Sequence, residues 1–255
     1  MAGESPFNFS GQRALVTGAS RGIGAVIATH LARAGAHVFT HYRQNEAGAQ
    51  ATAEAIRAAG GSATLVQANL VDVDAIGAMF GTVHATGPLD ILIHNAAIGS
   101  FKPAMGVRAN QWDLTMSVNA RALLLCAQHA APLMDGRGGK IVALSSAGST
   151  RVIPNYGAIG FSKAALEAVV RTLAVELAPA RIRVNAVTAG LIDTASIRLH
   201  PQYAEIEARA RERTLAGRIG TPEDLARVVA FLCSPLADWI VGQTIVADGG
   251  AGLVV

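Results

Sequence analysis

Short apolar runs rich in β-branched residues alternate along this chain with longer stretches of helical periodicity. Ala14-Leu15-Val16-Thr17 predicts a first strand, and about 23–33 a helix closed by Gly35. His37-Val38-Phe39-Thr40-His41-Tyr42 predicts a second strand, followed by a helix over about 47–59 closed by Gly60-Gly61. Thr64–Gln67 and Ile91–Ile93 predict strands three and four. One long helix is expected around 112–134 before strand 140–144, another over about 156–177 before strand 183–187, and a last strand at Thr244-Ile245-Val246. Strands alternating with helices predict an α/β fold, a doubly wound parallel sheet covered on both faces. The absence of a Pro/Gly/Ser-rich linker or internal repeat predicts one domain over residues 1–255. The segment at about 195–218 interrupts the alternation. It carries Arg198, Arg209, Arg211, Arg213 and Arg218, and reads either as a helical lid over the site or as a plain surface helix.

Composition narrows the function. The chain has 255 residues, 51% of them hydrophobic and 15% charged, which suffices for one large core. The net charge of +3 suits an anionic cofactor or substrate and is too small to argue for nucleic acid. No uninterrupted apolar run approaches about 18 residues, so no membrane span is expected. The first twelve residues lack an apolar signal core, so the chain is expected to stay in a reducing, cytoplasmic compartment. Cys126 and Cys233 lie in apolar helical patterns and read as buried thiols, and the lack of a Cys/His cluster predicts no metal.

The candidate chemistry starts at Thr17-Gly18-Ala19-Ser20-Arg21-Gly22-Ile23-Gly24, between the first strand and the first helix. Glycines there permit a tight turn and close backbone approach to a pyrophosphate, which the helix N-terminus then attracts. This Gly-x3-Gly-x-Gly spacing, with Asn95-Ala96-Ala97 after strand four and Ser146 seventeen positions before Lys163, resembles the short-chain dehydrogenase/reductase family. The resemblance runs from Arg13 to Gly250 and includes Arg183-Val184-Asn185-Ala186-Val187 and Asp248-Gly249-Gly250. It implies a nicotinamide dinucleotide at Gly18, Ser20, Arg21, Gly22, Ile23, Gly24, Asn95 and Ala96, with Asn69-Leu70 beside the adenine. The end of strand two, Thr40-His41-Tyr42-Arg43, carries no acid to meet a ribose; the first is Glu46. Ser20, Arg21 and Arg43, next to Tyr42, suit a 2′-phosphate, so NADPH is the expected cofactor, unless the arginines are only solvated.

The resemblance also implies that Lys163 binds the nicotinamide ribose and lowers the proton affinity of a nearby phenol. Ser146 matches the family serine, and Asn119 the asparagine that often completes a proton relay; each also reads as a structural residue. The tyrosine departs from the pattern. Ketone-reducing relatives carry Tyr-x3-Lys, whereas here Ile159 stands four before the lysine and Tyr156 stands seven before it. Seven helical residues span about 10.5 Å and four about 6 Å, so Tyr156 is expected to reach in from the helix start or just before it. An aromatic packing against the helix end is the competing reading.

Tyr-x6-Lys is shared with the enoyl-acyl-carrier-protein reductases. The run Asn155-Tyr156…Gly160-Phe161-Ser162-Lys163 and Asn185…Thr194 look most like the NADPH-dependent type III bacterial enzymes, and Ala189 stands where ketone-reducing relatives commonly have proline. This resemblance implies that Ile192 and Thr194 touch the carboxamide and diphosphate. It also implies reduction of the C2=C3 bond of an enoyl thioester on acyl carrier protein or coenzyme A, by a homotetramer. The alternatives are a 3-oxoacyl or other ketone reductase and a dinucleotide-binding regulator without chemistry. His94 reads as a proton donor or as a satisfied strand-end residue.

Overall fold

The computed structural model describes residues 7–198 and 203–253. Seven strands form one parallel sheet in the order β3-β2-β1-β4-β5-β6-β7: β1 Arg13–Val16, β2 His37–Tyr42, β3 Ser62–Gln67, β4 Ile91–His94, β5 Gly139–Ser146, β6 Ile182–Ala189 and β7 Thr244–Ala247. The helices are α1 Gly22–Arg33, α2 Glu46–Ala58, α3 Val73–His84, α4 Ala109–Met116, α5 Ala122–Met134, α6 Gly157–Leu177, α7 Ala195–Arg198, α8 Tyr203–Arg213 and α9 Pro222–Cys233. The expected doubly wound α/β sheet is therefore present, with its order reversing between β1 and β4, where such sheets bind ligands.

Alternation along each strand feeds two cores. Leu15, Phe39, Leu92, Ile141 and Val184 face one side, where they pack on α3, α5 and α6. Ala14, Val16, Val38, Ile93 and Val142 face the other, against Ile27 and Leu31 of α1 and Leu225 and Val229 of α9. Each fully buried Leu or Ile contributes roughly 1.5–3 kcal/mol, so both sheet faces are committed to burial.

One expectation about elements is corrected. The helix expected around 112–134 is broken: Ser117–Arg121 is wound as a π-turn between α4 and α5, which turns Asn119 inward. Sequence reading also passed over α3 and α9. Both carry side-chain caps, Asp72 accepting from Asp74 N and Ala75 N, and Thr221 paired with Asp224 around Pro222. Over the expected lid, α7 and α8 are helical, and 199–202 lie outside the described residues. Asp193 ties this segment down, accepting from the Arg198 guanidinium at 2.5 and 2.6 Å and from the Tyr203 hydroxyl at 3.2 Å.

Among the described residues no helix is long and apolar enough to cross a membrane, and no group of three or more His, Cys, Asp or Glu is placed to hold a metal. Cys126 and Cys233 are buried free thiols; burial pushes both up to about 12.

Candidate active site

The glycine-rich turn is fixed by bonds from three other strand ends. The Thr17 hydroxyl accepts from the backbone N–H groups of Asn95 and Ala96, both at 3.0 Å. The Asn95 amide donates to the carbonyls of Thr17 and Gly18 at 3.0 and 3.1 Å. Gly18 N–H donates to His41 Nδ1 at 3.0 Å, and His41 Nε2 donates to the Ala68 carbonyl at 3.1 Å. Since that carbonyl can only accept, the imidazole carries its proton on Nε2 and is neutral. Sequence reading assigned His41 no role; it holds the turn against β2 and the end of β3.

This turn opens a cleft of about 550 Å³ along the C-terminal ends of β1 to β4. Gly18, Ser20, Arg21, Gly22, Ile23 and Gly24 line it from one side. Arg21 stands at the N-cap of α1 without a side-chain cap, so the first-turn N–H groups are left for a ligand. Tyr42, Arg43, Asn69 and Leu70 line the cleft on the β2–β3 side, Asn95 and Ala96 on the β4 side, and Thr194 from beyond β6. The lining holds two arginines and no carboxylate. The Ile192 side chain packs against Gly220 and the α9-side core. A Cβ at Gly24 would lie 2.3 Å from the Gly18 carbonyl oxygen and 2.4 Å from the Asn95 amide nitrogen, so only glycine fits there. That cradle of bare backbone and unspent N–H groups fits a dinucleotide diphosphate.

The second group of residues gathers where β5 meets α6. Asn155 adopts the left-handed conformation (φ 61°), which asparagine tolerates, and delivers Tyr156 to the N-cap of α6. The Tyr156 hydroxyl donates to Ser146 Oγ at 3.2 Å. Its ring lies so close over Gly148 that a Cβ there would meet it at 2.6 Å. The tyrosine thus stands at the helix start with its hydroxyl turned toward Ser146. Ile159, in the position four before the lysine, packs on Gly99 and offers no proton. Lys163 is buried, and its ammonium donates to the Leu144 carbonyl at 2.6 Å. Burial brings its pKa down to about 8 against the opposing pull of Glu167. Burial also raises the Tyr156 phenol, with the Ser146 bond opposing, so it stays protonated near neutrality.

Asn119 stands apart from this pair. Its carbonyl oxygen accepts from Ile98 N at 2.8 Å, and its amide donates to the Ile98 carbonyl and to Ser162 Oγ, each at 2.9 Å. It clamps the cleft-lining segment after β4 to α6, beside Lys163. The π-turn supplies the inward direction that a regular helix would not.

His94 is fully buried, faces the backbone of Val118 and Asn119 without reaching bonding geometry, and leaves both ring nitrogens without a partner. Burial and the nearby Lys163 bring it down to about 3, and burial brings His41 to about 4. Both are depressed bases. Above pH 6.5 neither folded nor unfolded chain protonates them, and the fold has its full stability. Between about 6.5 and 4 the unfolded chain takes up protons that the fold refuses, so stability falls with pH. By pH 5 the loss is about 2 kcal/mol for each histidine. Thermal unfolding should show a falling Tm between pH 7 and pH 5, and His94→Leu should recover about 2 kcal/mol of the loss at pH 5. An unchanged slope in His94→Leu would remove His94 from this account.

A family model described as Enoyl-(Acyl carrier protein) reductase matches residues 18–252. The chain is 41% identical over 249 residues to 1-cyclohexenylcarbonyl-CoA reductase of Streptomyces collinus, covering 95% of this chain and 88% of that one. A hydroxynaphthalene reductase-like protein of Metarhizium majus (strain ARSEF 297) is 34% identical over 261 residues, 97% of each chain. Among solved structures, an angucycline C-6 ketoreductase with bound NADP superposes with a TM-score of 0.89 at 35% identity, covering 96% of this chain and 97% of that one.

Proposed function

The chain belongs to the short-chain dehydrogenase/reductase family, among its enoyl-reductase-like members, and from that premise we propose that it reduces the C2=C3 bond of an enoyl thioester with NADPH. The observation that carries this reading is the pairing of the displaced Tyr156 with Ser146 while Ile159 fills the position four before Lys163. In a ketone the carbon that accepts hydride also bears the oxygen. In an enoyl thioester hydride goes to Cβ, and charge gathers on an oxygen three bonds away. The donor must then stand farther out than a tyrosine four before the lysine would, and the N-cap position of Tyr156 supports that reading. The relative from Streptomyces collinus is named for an α,β-unsaturated CoA thioester, which agrees with this assignment.

The cleft residues named above would hold NADPH, with Ser20, Arg21 and Arg43 toward the 2′-phosphate, Thr194 toward the diphosphate and Lys163 toward the ribose. The NADP bound to the angucycline ketoreductase supports that choice of cofactor. NADPH, when bound, supplies the hydride. Tyr156 hydrogen-bonds the thioester oxygen and stabilises the enolate charge, the step where such a donor matters most. Ser146 orients the phenol, and Lys163 keeps a positive charge behind it. Asn119 acts here as a positioning residue. The proton that reaches Cα comes from solvent or through a relay, and the segment over α7 and α8 serves as a lid latched by Asp193. The carrier is coenzyme A or acyl carrier protein, and the site is cytoplasmic. We further assign a homotetramer, for which the exposed Trp112–Phe161 ring pair (5.5 Å) and Val175 offer apolar surface on α4 and α6.

The test is a matched assay of cofactor oxidation with crotonyl-CoA and acetoacetyl-CoA, each with NADPH and NADH. Crotonyl-CoA with NADPH should give the highest kcat/KM, at least tenfold above the keto substrate, a gap of about 1.4 kcal/mol in barrier. Turnover of acetoacetyl-CoA alone would make this a ketone reductase, the activity of the angucycline enzyme. Tight NADPH binding with neither substrate turned over would point to a regulator instead.

A further inference from the structure

One helical turn beyond Lys163, α6 carries a second buried ionisable side chain that the proposed chemistry does not use. Glu167 is 6% exposed. Ser145 on β5 and Thr188 on β6 are register partners, so their side chains leave the sheet on the same face, toward α6. Both hydroxyls donate to the same Glu167 oxygen, Oε1, at 2.5 and 3.4 Å. The carbonyl that receives the Lys163 ammonium belongs to Leu144, the residue before Ser145. Lysine and glutamate thus dock on adjacent residues of one strand.

A carboxylate is costly to bury, and two hydroxyl donors could equally satisfy an uncharged glutamine. Among the described residues no ion pair within 4 Å joins Glu167 to Lys163, so the carboxylate acts on the ammonium through space. Resting on the reading above that Lys163 serves the cofactor ribose, we propose that Glu167 is a positioning residue for Lys163. Its hydroxyl clamp sets the register of α6 on the sheet, and its charge holds Lys163 as an ammonium.

The groups around Lys163 make Glu167 the counterweight. His94 faces it from β4 as a neutral ring. Tyr156 lies at the start of the same helix and stays a phenol. β5 contributes the Leu144 carbonyl and the hydroxyls of Ser145 and Ser146, and β6 that of Thr188. Burial alone favours the neutral amine, and Glu167 opposes it.

NADPH binding, followed by cofactor fluorescence from pH 6.5 to 9.5 without acyl substrate, tests this in the wild type, Glu167→Gln and Glu167→Asp. Wild-type affinity should fall as pH rises through about 8. In Glu167→Gln the fall should begin about one pH unit lower, leaving affinity roughly fivefold weaker than wild type at pH 8 and within about twofold at pH 6.5. Glu167→Asp should keep the wild-type profile while its Tm drops, because it keeps the charge and loosens the clamp. A wild-type profile in Glu167→Gln would leave only a structural role and overturn the proposal. So would an Asp variant shifted as far as the Gln variant is expected to be, a comparison that stands even if Gln fails to fold. A flat wild-type profile would overturn it as well. Failure of crotonyl-CoA turnover with these profiles intact would count against the proposed reaction and leave this inference standing.

Discussion

Tyr156→Phe is expected to slow crotonyl-thioester reduction about 10²–10³-fold in kcat, with KM within a few-fold and NADPH affinity unchanged. The substitution removes one oxygen. The ring, which lies over Gly148 and beside Phe101, keeps its place. What is lost is the bond to Ser146 at 3.2 Å and the donor aimed at the thioester oxygen. A hydrogen bond made mainly to developing charge lowers kcat when removed and leaves ground-state binding alone, so the loss belongs in kcat. The phenol is raised by burial and remains a donor, so the deficit should be constant between pH 6 and 8. A loss below tenfold would mean that Ser146 or another acid carries the charge, and the case for carbon–carbon reduction would lose its main support. A loss confined to KM would make Tyr156 a packing residue.

The fold and the tyrosine's place at the helix start were legible in the sequence for different reasons. Strand alternation at Ala14–Val16 and Val38–Phe39 is a local signal that burial on both faces enforces, and the structure follows it. The seven-residue spacing sets Tyr156 two turns before Lys163, at the start of the helix expected over about 156–177. The π-turn was not legible, because Ser117–Arg121 has ordinary helical periodicity; what distorts it is the need to bring Asn119 to Ile98 and Ser162. The α9 cap was legible and unused: Thr221-Pro222-Glu223-Asp224 is a capping box with proline at the first helical position. The packing of the Ile192 side chain on Gly220 is a long-range contact that no local pattern announces. The Ser145–Thr188–Glu167 cluster depends on the β5–β6 register, which only the assembled sheet defines.

Gly24→Ala is expected to weaken NADPH binding about 100-fold or more, since a displacement near 1 Å at such a site is worth about that much. One methyl group suffices because of where it would stand. Its carbon would lie 2.3 Å from the Gly18 carbonyl oxygen and 2.4 Å from the Asn95 amide nitrogen, far inside van der Waals contact. Neither neighbour can yield freely. Asn95 is bonded to Thr17 and Gly18, and Gly18 is bonded to His41, which is anchored to Ala68. Relief therefore requires α1 to slide or the whole turn to lift, and either motion pulls the first-turn N–H groups from the diphosphate. Overpacking of this kind also costs about 1–3 kcal/mol of stability, visible as a lower Tm. Gly81→Ala, in α3 with nothing within 4 Å of the added carbon, is the control. It should raise stability by roughly 0.5–1 kcal/mol and leave NADPH binding alone, because alanine loses less backbone entropy in a helix. If Gly24→Ala bound NADPH within threefold of wild type, the close approach at this turn would have no part in holding the cofactor, and the cleft would have to be assigned to another ligand.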